Sequence, residues 1–201
     1  MLTFDHIAVA AESLAEGVKA TERALNVPVQ PGGQHPHFGT HNSLLGLGAE
    51  YLEVIAIDPS AGDLGYPRWF HLDAFAGPPR LTNWILRTPD LEAALARLGP
   101  EYGTPISLQR GDLRWRMAVP ASGLLPFDNC APAIISWETP PPAPRLTDHG
   151  CTLGALRVSH PNAPQLRDAL APLLDDARVG FEIGPAAISA EISTPSGPRA
   201  L

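Results

Sequence analysis

Glu53 is the side chain whose surroundings most constrain its chemistry. In the run 51-YLEVIAID-58, period-2 alternation places Tyr51, Glu53, Ile55 and Ile57 on one side and Leu52, Val54 and Ala56 on the other. Glu53 is then the one charge on a side otherwise lined by Tyr and Ile. A carboxylate in that setting must be paired, protonated or bound to a cation, because a lone buried charge is strongly unfavourable. Kept basic by apolar neighbours, it can also serve as a general base. Four histidines precede it: His6 in the opening segment, and His35, His37 and His41 in or beside the stretch 31-PGGQHPHFG-39. His35 and His37 flank Pro36 and read as part of a polar surface loop. His41 enters a strand beside Asn42, where either side chain can contact a ligand or make a turn-stabilising hydrogen bond.

The elements that must position these residues can be read in order. Residues 2 to 10, LTFDHIAVA, alternate as a strand, with Phe4, His6 and Ala8 on one face and Asp5, Ile7 and Val9 on the other. Ser13 and Glu16 form a capping box for a helix whose stripe is Leu14, Val18, Thr21 and Leu25, ended by Asn26 and Pro28. A short strand is predicted at 27 to 30, an irregular loop at 31 to 39, and a hairpin from Gly39 to Asp58 turning at Gly-Ala-Glu. The order is βαβββ over 1–58.

Residues 59 to 79 form a polar and aromatic connection, after which the opening pattern returns at an offset of 77: Leu14 meets Leu91, Val18 meets Leu95, and Thr21 meets Leu98. Thr88 and Pro89 stand where the capping box was. Strands at 106 to 109, 113 to 120 and 133 to 138 complete a second βαβββ-like unit over 79–140. Repetition of a unit that cannot bury its sheet alone implies that the two pack together. The run 139-TPPPAPR-145 is a stiff linker, and a third, shorter βαββ echo occupies 146–201. The fold class is therefore α+β, with paired modules forming a mixed sheet and helices outside it.

A net charge of -7 with no Lys/Arg cluster argues against nucleic-acid and anionic-membrane partners. Two cysteines in no metal or redox spacing read as unpaired thiols of a reducing compartment. With neither a signal peptide nor a membrane anchor legible in residues 1 to 20, a cytoplasmic location is expected. There is no G-x-S-x-G elbow, P-loop, dinucleotide fingerprint or zinc-protease helix.

Taken together, the histidine of the first strand, the capped helix, the loop HPHFGTHNSLLGLG and the strand YLEVIAID resemble the glyoxalase-like branch of the vicinal oxygen chelate superfamily. The resemblance covers all three units. It implies that the modules curl into a cupped sheet, that enzymes among the relatives hold one divalent metal cation in the cup, and that the ligands come from the first and last strands of the modules. By position these are His6 and Glu53 here. The offset of 77 puts Asn83 where a second histidine belongs, and the last strand of the second module offers Ser136 or Glu138. His41 can complete a set of His6, Glu53 and His41, with His71 and His149 as further imidazoles.

The resemblance also implies a small-molecule substrate, possible homodimers, and a metal acting as Lewis acid in lyase, isomerase or dioxygenase chemistry. Glu53 and His41 are the candidates for moving the proton. Without a metal, His6 and Glu53 remain either a base and its orienter or a hydrogen-bonded structural pair, and the cup remains a site for sequestering a ligand. Asn42, Arg68, Trp69, Asn83 and Trp115 are candidate substrate contacts. Arg68 with Trp69 and Phe70, and Arg114 with Trp115 and Arg116, read either as clamps for a flat anion or as packing surfaces with solvated Arg heads. Trp84 reads as core.

Overall fold

One extra residue in the first strand decides which side chains face inward. The computed structural model describes residues 1–201. In it β1 (Thr3–Ala10) runs parallel to β4 (Glu50–Ile57) and antiparallel to β5 (Arg80–Arg87). Against β5, Phe4 pairs with Leu86 and His6 with Ile85, so Asp5 is the unpaired residue of a β-bulge. The bulge breaks the expected alternation. Phe4 joins Ile7 and Val9 in one core, while Asp5 and His6 meet side by side on the other face of the sheet.

The same irregularity recurs in β5, where Ala8 pairs with Asn83 and Val9 with Leu81, leaving Thr82 unpaired. The offset of 77 seen in the sequence carries Asp5 to Thr82 and His6 to Asn83. The two modules thus meet at β1 and β5 about a pseudo-two-fold axis. They build one eight-stranded sheet in the order β2-β3-β4-β1-β5-β8-β7-β6, with β2 (Gln30–His35), β3 (Thr40–Leu47), β6 (Thr104–Arg110), β7 (Leu113–Val119) and β8 (Ala133–Trp137). The sheet curls until its two edges, β2 and β6, approach one another.

Local chemistry sets the element ends. α1 (Leu14–Leu25) is capped by Ser13, whose Oγ accepts from the Glu16 amide at 3.3 Å and donates to its carboxylate at 2.9 Å. Asn26 ends it in a left-handed conformation, φ 57°. Gly17 is required within this helix, since a Cβ there would lie 2.6 Å from Val54 Cγ1. The cap of α2 (Leu91–Leu98) differs from expectation: Asp90 immediately precedes the helix and accepts from the Ala93 amide at 2.9 Å, while Thr88 caps Asp90 instead. The predicted loop at 31 to 39 is in large part β2. Its Pro31 is tolerated on a sheet edge, and the strand slips register between Pro31 and Gln34.

The third unit contains β9 (Thr152–Ser159), α3 (Ala163–Leu170), β10 (Val179–Glu182) and β11 (Ala187–Thr194). It ends in a further strand, β12 (Gly197–Ala200), and pairs within its own sheet, β10-β9-β11-β12. Leu156, Val158 and Ile192 of this sheet share a core with Phe4, Leu52 and Trp84 of the large sheet and with Leu25 and Leu91 of the helices. A second core, with Ala8, Phe38, Ile55, Trp69, Ile85, Trp115 and Met117, fills the concave side. Cys130 and Cys151 are free and buried, and burial pushes the Cys130 thiol up to about 11.

Candidate functional site

The concave core is interrupted at one polar cluster. His6, 3% exposed, donates from Nδ1 to Asp5 Oδ1 at 2.6 Å, and its ring stacks on Tyr51 at 4.3 Å between centroids. Asp5 also accepts from Trp137 Nε1 at 3.0 Å and faces Arg87 Nη1 at 3.5 Å. Burial pushes the Asp5 carboxyl up, but the His6 hydrogen bond and charge, the Trp137 bond and Arg87 together hold it below the usual carboxylate range. An ionised Asp5 fixes the proton on His6 Nδ1, so Nε2 is the nitrogen turned to the cavity. It lies 3.7 Å from Glu53 Oε2.

Glu53 is held from its other oxygen. Asn42 Nδ2 donates to Oε1 at 2.5 Å, and Asn42 Oδ1 accepts from the Gly33 amide at 2.8 Å and from Arg110 Nη1 at 2.7 Å. Two donors on one end of the amide and a carboxylate on the other leave the Asn42 side chain a single orientation. Gly32 makes room for it, because a Cβ there would lie 2.1 Å from Asn42 Oδ1. His35, on β2, faces the same cluster: Nδ1 is 3.1 Å from Thr40 Oγ1, and Nε2 is 3.4 Å from Arg110 Nη1. Burial, ahead of all other influences, lowers the His35 pKa to about 4. The ring is therefore neutral at pH 7, accepting at Nε2 and donating at Nδ1.

That buried imidazole makes stability depend on pH. Between about pH 6.5 and about pH 4 the unfolded chain binds a proton at His35 and the native chain does not, so stability falls as pH drops through that window. The effect reaches about 3 kcal/mol at its lower end. Urea denaturation at pH 7 and pH 4.5 should show this loss in the wild type and a much smaller one in His35→Gln; equal losses would remove His35 as the cause.

Around the cluster stand Trp69, Phe70, Trp115, Met117, Ile135 and Trp137, enclosing a cavity of about 20 Å³. That is room for about one water. Phe70 also lines a neighbouring cavity of about 240 Å³, together with His71, Arg80 and Asn129. Phe70 and His71 adopt left-handed backbone, φ 59° and 58°, uncommon for such side chains. They are pinned by Asn129 Nδ2 donating to the Phe70 carbonyl at 3.1 Å and by the His71 amide donating to Gly123 at 2.8 Å.

Of the residues singled out in the sequence, His6, Asn42, Glu53, Trp69 and Trp115 line the one cavity. His41 does not. It pairs across from Ala56, out of phase with Asn42 opposite Ile55, and so occupies the other face of β3. Arg68 is also turned away, its guanidinium and amide both bonded to Asp73. Asn83 is fully buried on the concave side but outside the lining, its Nδ2 without a partner and its Oδ1 3.5 Å from Asn129 Nδ2. Arg116 pairs with Glu92 on α2. His35, expected in a surface loop, is a wall of the site. Tyr51 lines the site with Glu53, as the alternation predicts, while nothing in the sequence pattern points to Asp5, Arg110 or Trp137.

The donor set can be tested against a divalent cation. Ala8 pairs with Glu53 as Ile85 pairs with Ala133, so Ala133, not Ser136 or Glu138, is the second module's counterpart of Glu53. Asn83 and Ala133 thus stand where the resemblance implies an imidazole and a carboxylate. His6 Nε2 and Glu53 Oε2 remain, His35 Nε2 faces the Arg110 cation, and no three His, Cys, Asp or Glu side chains converge as ligands. Two donors beside a guanidinium do not make a cage for such an ion. The set of His6, Glu53 and His41 expected from the sequence is not assembled.

No helix of the chain is long and apolar enough to cross a membrane. Among solved structures, a hypothetical protein from Staphylococcus aureus is similar at 16% identity and a TM-score of 0.65, over 92% of this chain and 88% of that one. Methylmalonyl-CoA epimerase from Mycobacterium tuberculosis is 19% identical with a TM-score of 0.44, over 71% of this chain and 91% of that one. A Streptomyces coelicolor methylmalonyl-CoA epimerase variant bound to 2-nitronate-propionyl-CoA is 16% identical with a TM-score of 0.44, over 68% and 97%. No curated protein matches the sequence. The glyoxalase-like domain family matches residues 4–174, and with the paired modules of the curled sheet this places the chain in that family, within the vicinal oxygen chelate superfamily.

Proposed function

We propose that this chain is a small-molecule isomerase-type enzyme that takes a proton from carbon and returns it, with His6 and Glu53 as the acid–base pair. The observation that carries the reading is the convergence of His6 Nε2 and Glu53 Oε2, 3.7 Å apart, in an aromatic-walled cavity where each is held from behind, by Asp5 and Asn42 respectively. Glu53 Oε2 removes a proton from a C–H next to a carbonyl. The electron pair moves to the carbonyl oxygen, which accepts a hydrogen bond from His6 when Nε2 carries a proton. Return of the proton to the same or a neighbouring carbon gives the isomer. No co-reactant is consumed.

Incubation in D₂O with a panel of 2-oxo acids, aryl ketones and thioesters, followed by mass spectrometry, tests this directly. A gain of one deuterium at an acidic carbon supports it. A second reading, a protein that sequesters its ligand unchanged, is favoured by the aromatic walls of the cavity. It predicts saturable tryptophan quenching with no exchange in any probe, and that result would overturn the enzyme.

A further inference from the structure

Arg110 brings more donors to this pocket than its hold on Asn42 uses. It stands at the tip of the β6–β7 hairpin, before Gly111 with φ 59°, and crosses the gap between the two edge strands of the curled sheet. The stem lies so close over β2 that a Cβ on Gly33 would come within 2.9 Å of Arg110 Cδ. Nη1 is 2.7 Å from Asn42 Oδ1 and 3.4 Å from His35 Nε2, and both of those groups are neutral. No carboxylate lies within ion-pair distance, whereas Arg68, Arg87, Arg116 and Arg178 each have one. The Nε and Nη2 hydrogens, the edge of the guanidinium that matches a carboxylate bidentately, have no acceptor in the protein.

We infer that the molecule this pocket takes is a small, flat monocarboxylate, its carboxylate forked on Arg110 and its plane among Trp69, Trp115 and Trp137. The inference rests on the acid–base reading for the location of the site and adds its substrate class. A single negative charge fits, because the carboxylate of Glu53 already lines the same cavity and would repel a second anionic group. Flatness follows from walls made of ring faces and edges: Trp115 and Trp137 lie 5.5 Å apart, and Trp69 is stacked between Phe38 and Phe70. The cavity as it stands has room for about one water, so seating such a molecule requires its aromatic wall to part.

Tryptophan fluorescence titrations with benzoate, cinnamate and phenylacetate, each against its neutral amide, test the inference without turnover. The acids should bind at least about tenfold more tightly than the amides. Arg110→Gln should abolish that preference with circular dichroism and melting temperature retained, and Arg110→Lys should keep part of it. Equal binding of acid and amide, an acid preference that survives in Arg110→Gln, or no saturable response to any probe would overturn it. A carboxylate preference without deuterium exchange sinks only the proton-transfer reading. Exchange on neutral carbonyl compounds without a carboxylate preference sinks only the substrate class.

Discussion

Replacing Glu53 by Gln is expected to slow proton exchange by about 10²- to 10⁴-fold, the usual worth of a positioned general base, while leaving the fold intact. Gln keeps the shape of the side chain and its oxygen still accepts from Asn42 Nδ2, so the contact at 2.5 Å persists in kind. What is lost is the basic oxygen facing His6. The substitution also removes a buried charge, so it is not expected to lower the melting temperature by more than a few degrees. Exchange rates by ¹H NMR, with a thermal melt on the same sample, check both halves. A variant that retains wild-type exchange would move the base elsewhere in the pocket.

The largest loss of stability is expected at Trp84→Ala, about 3–5 kcal/mol. Trp84 is wholly buried, packs between Phe4 of the large sheet and Phe181 of the C-terminal one at 6.3 Å from each, and donates from Nε1 to the Cys130 carbonyl at 2.8 Å. Truncation opens a void where the two sheets meet and leaves that carbonyl without its partner. Such a loss is comparable to the whole stability of a marginal domain. Urea midpoints for Trp84→Ala and Trp84→Phe measure it, the latter retaining most of the packing. A shift below about 1 kcal/mol for the alanine variant would mean that the C-terminal unit contributes little to holding the sheet.

The fold was legible where local chemistry and periodicity agree. The Ser13–Glu16 box, the helical stripe and its repetition at an offset of 77 place the two modules, and the register of β1 against β5 shows that the same offset is the molecular pseudo-symmetry. Alternation failed where the backbone breaks its own rule. The bulge at Asp5 moves Phe4 off the site and brings Asp5 onto His6, and nothing in LTFDHIAVA announces it. His35 was obscured by the Pro and Gly residues of an edge strand.

For His41 a signal did exist. The two-residue turn at Gly48 and Ala49 fixes the hairpin register, which sets Leu44 opposite Glu53 and thus Asn42, not His41, in phase with the carboxylate. Arg110 could not be found this way. It reaches the site through the curling of the sheet, which brings together strands some seventy residues apart in the chain. Its role is a property of closure rather than of any local pattern.

The most direct measurement is deuterium wash-in at the acidic carbon of a bound probe, followed on protein exhaustively stripped with chelator and then on the same protein with Zn, Mn, Ni or Fe restored. If His6 and Glu53 move the proton by themselves, the exchange rate is the same before stripping, after it and after each addition, and substitution at either position abolishes it. Exchange that disappears with the chelator and returns with one of the metals would contradict a pocket whose chemistry rests on two side chains.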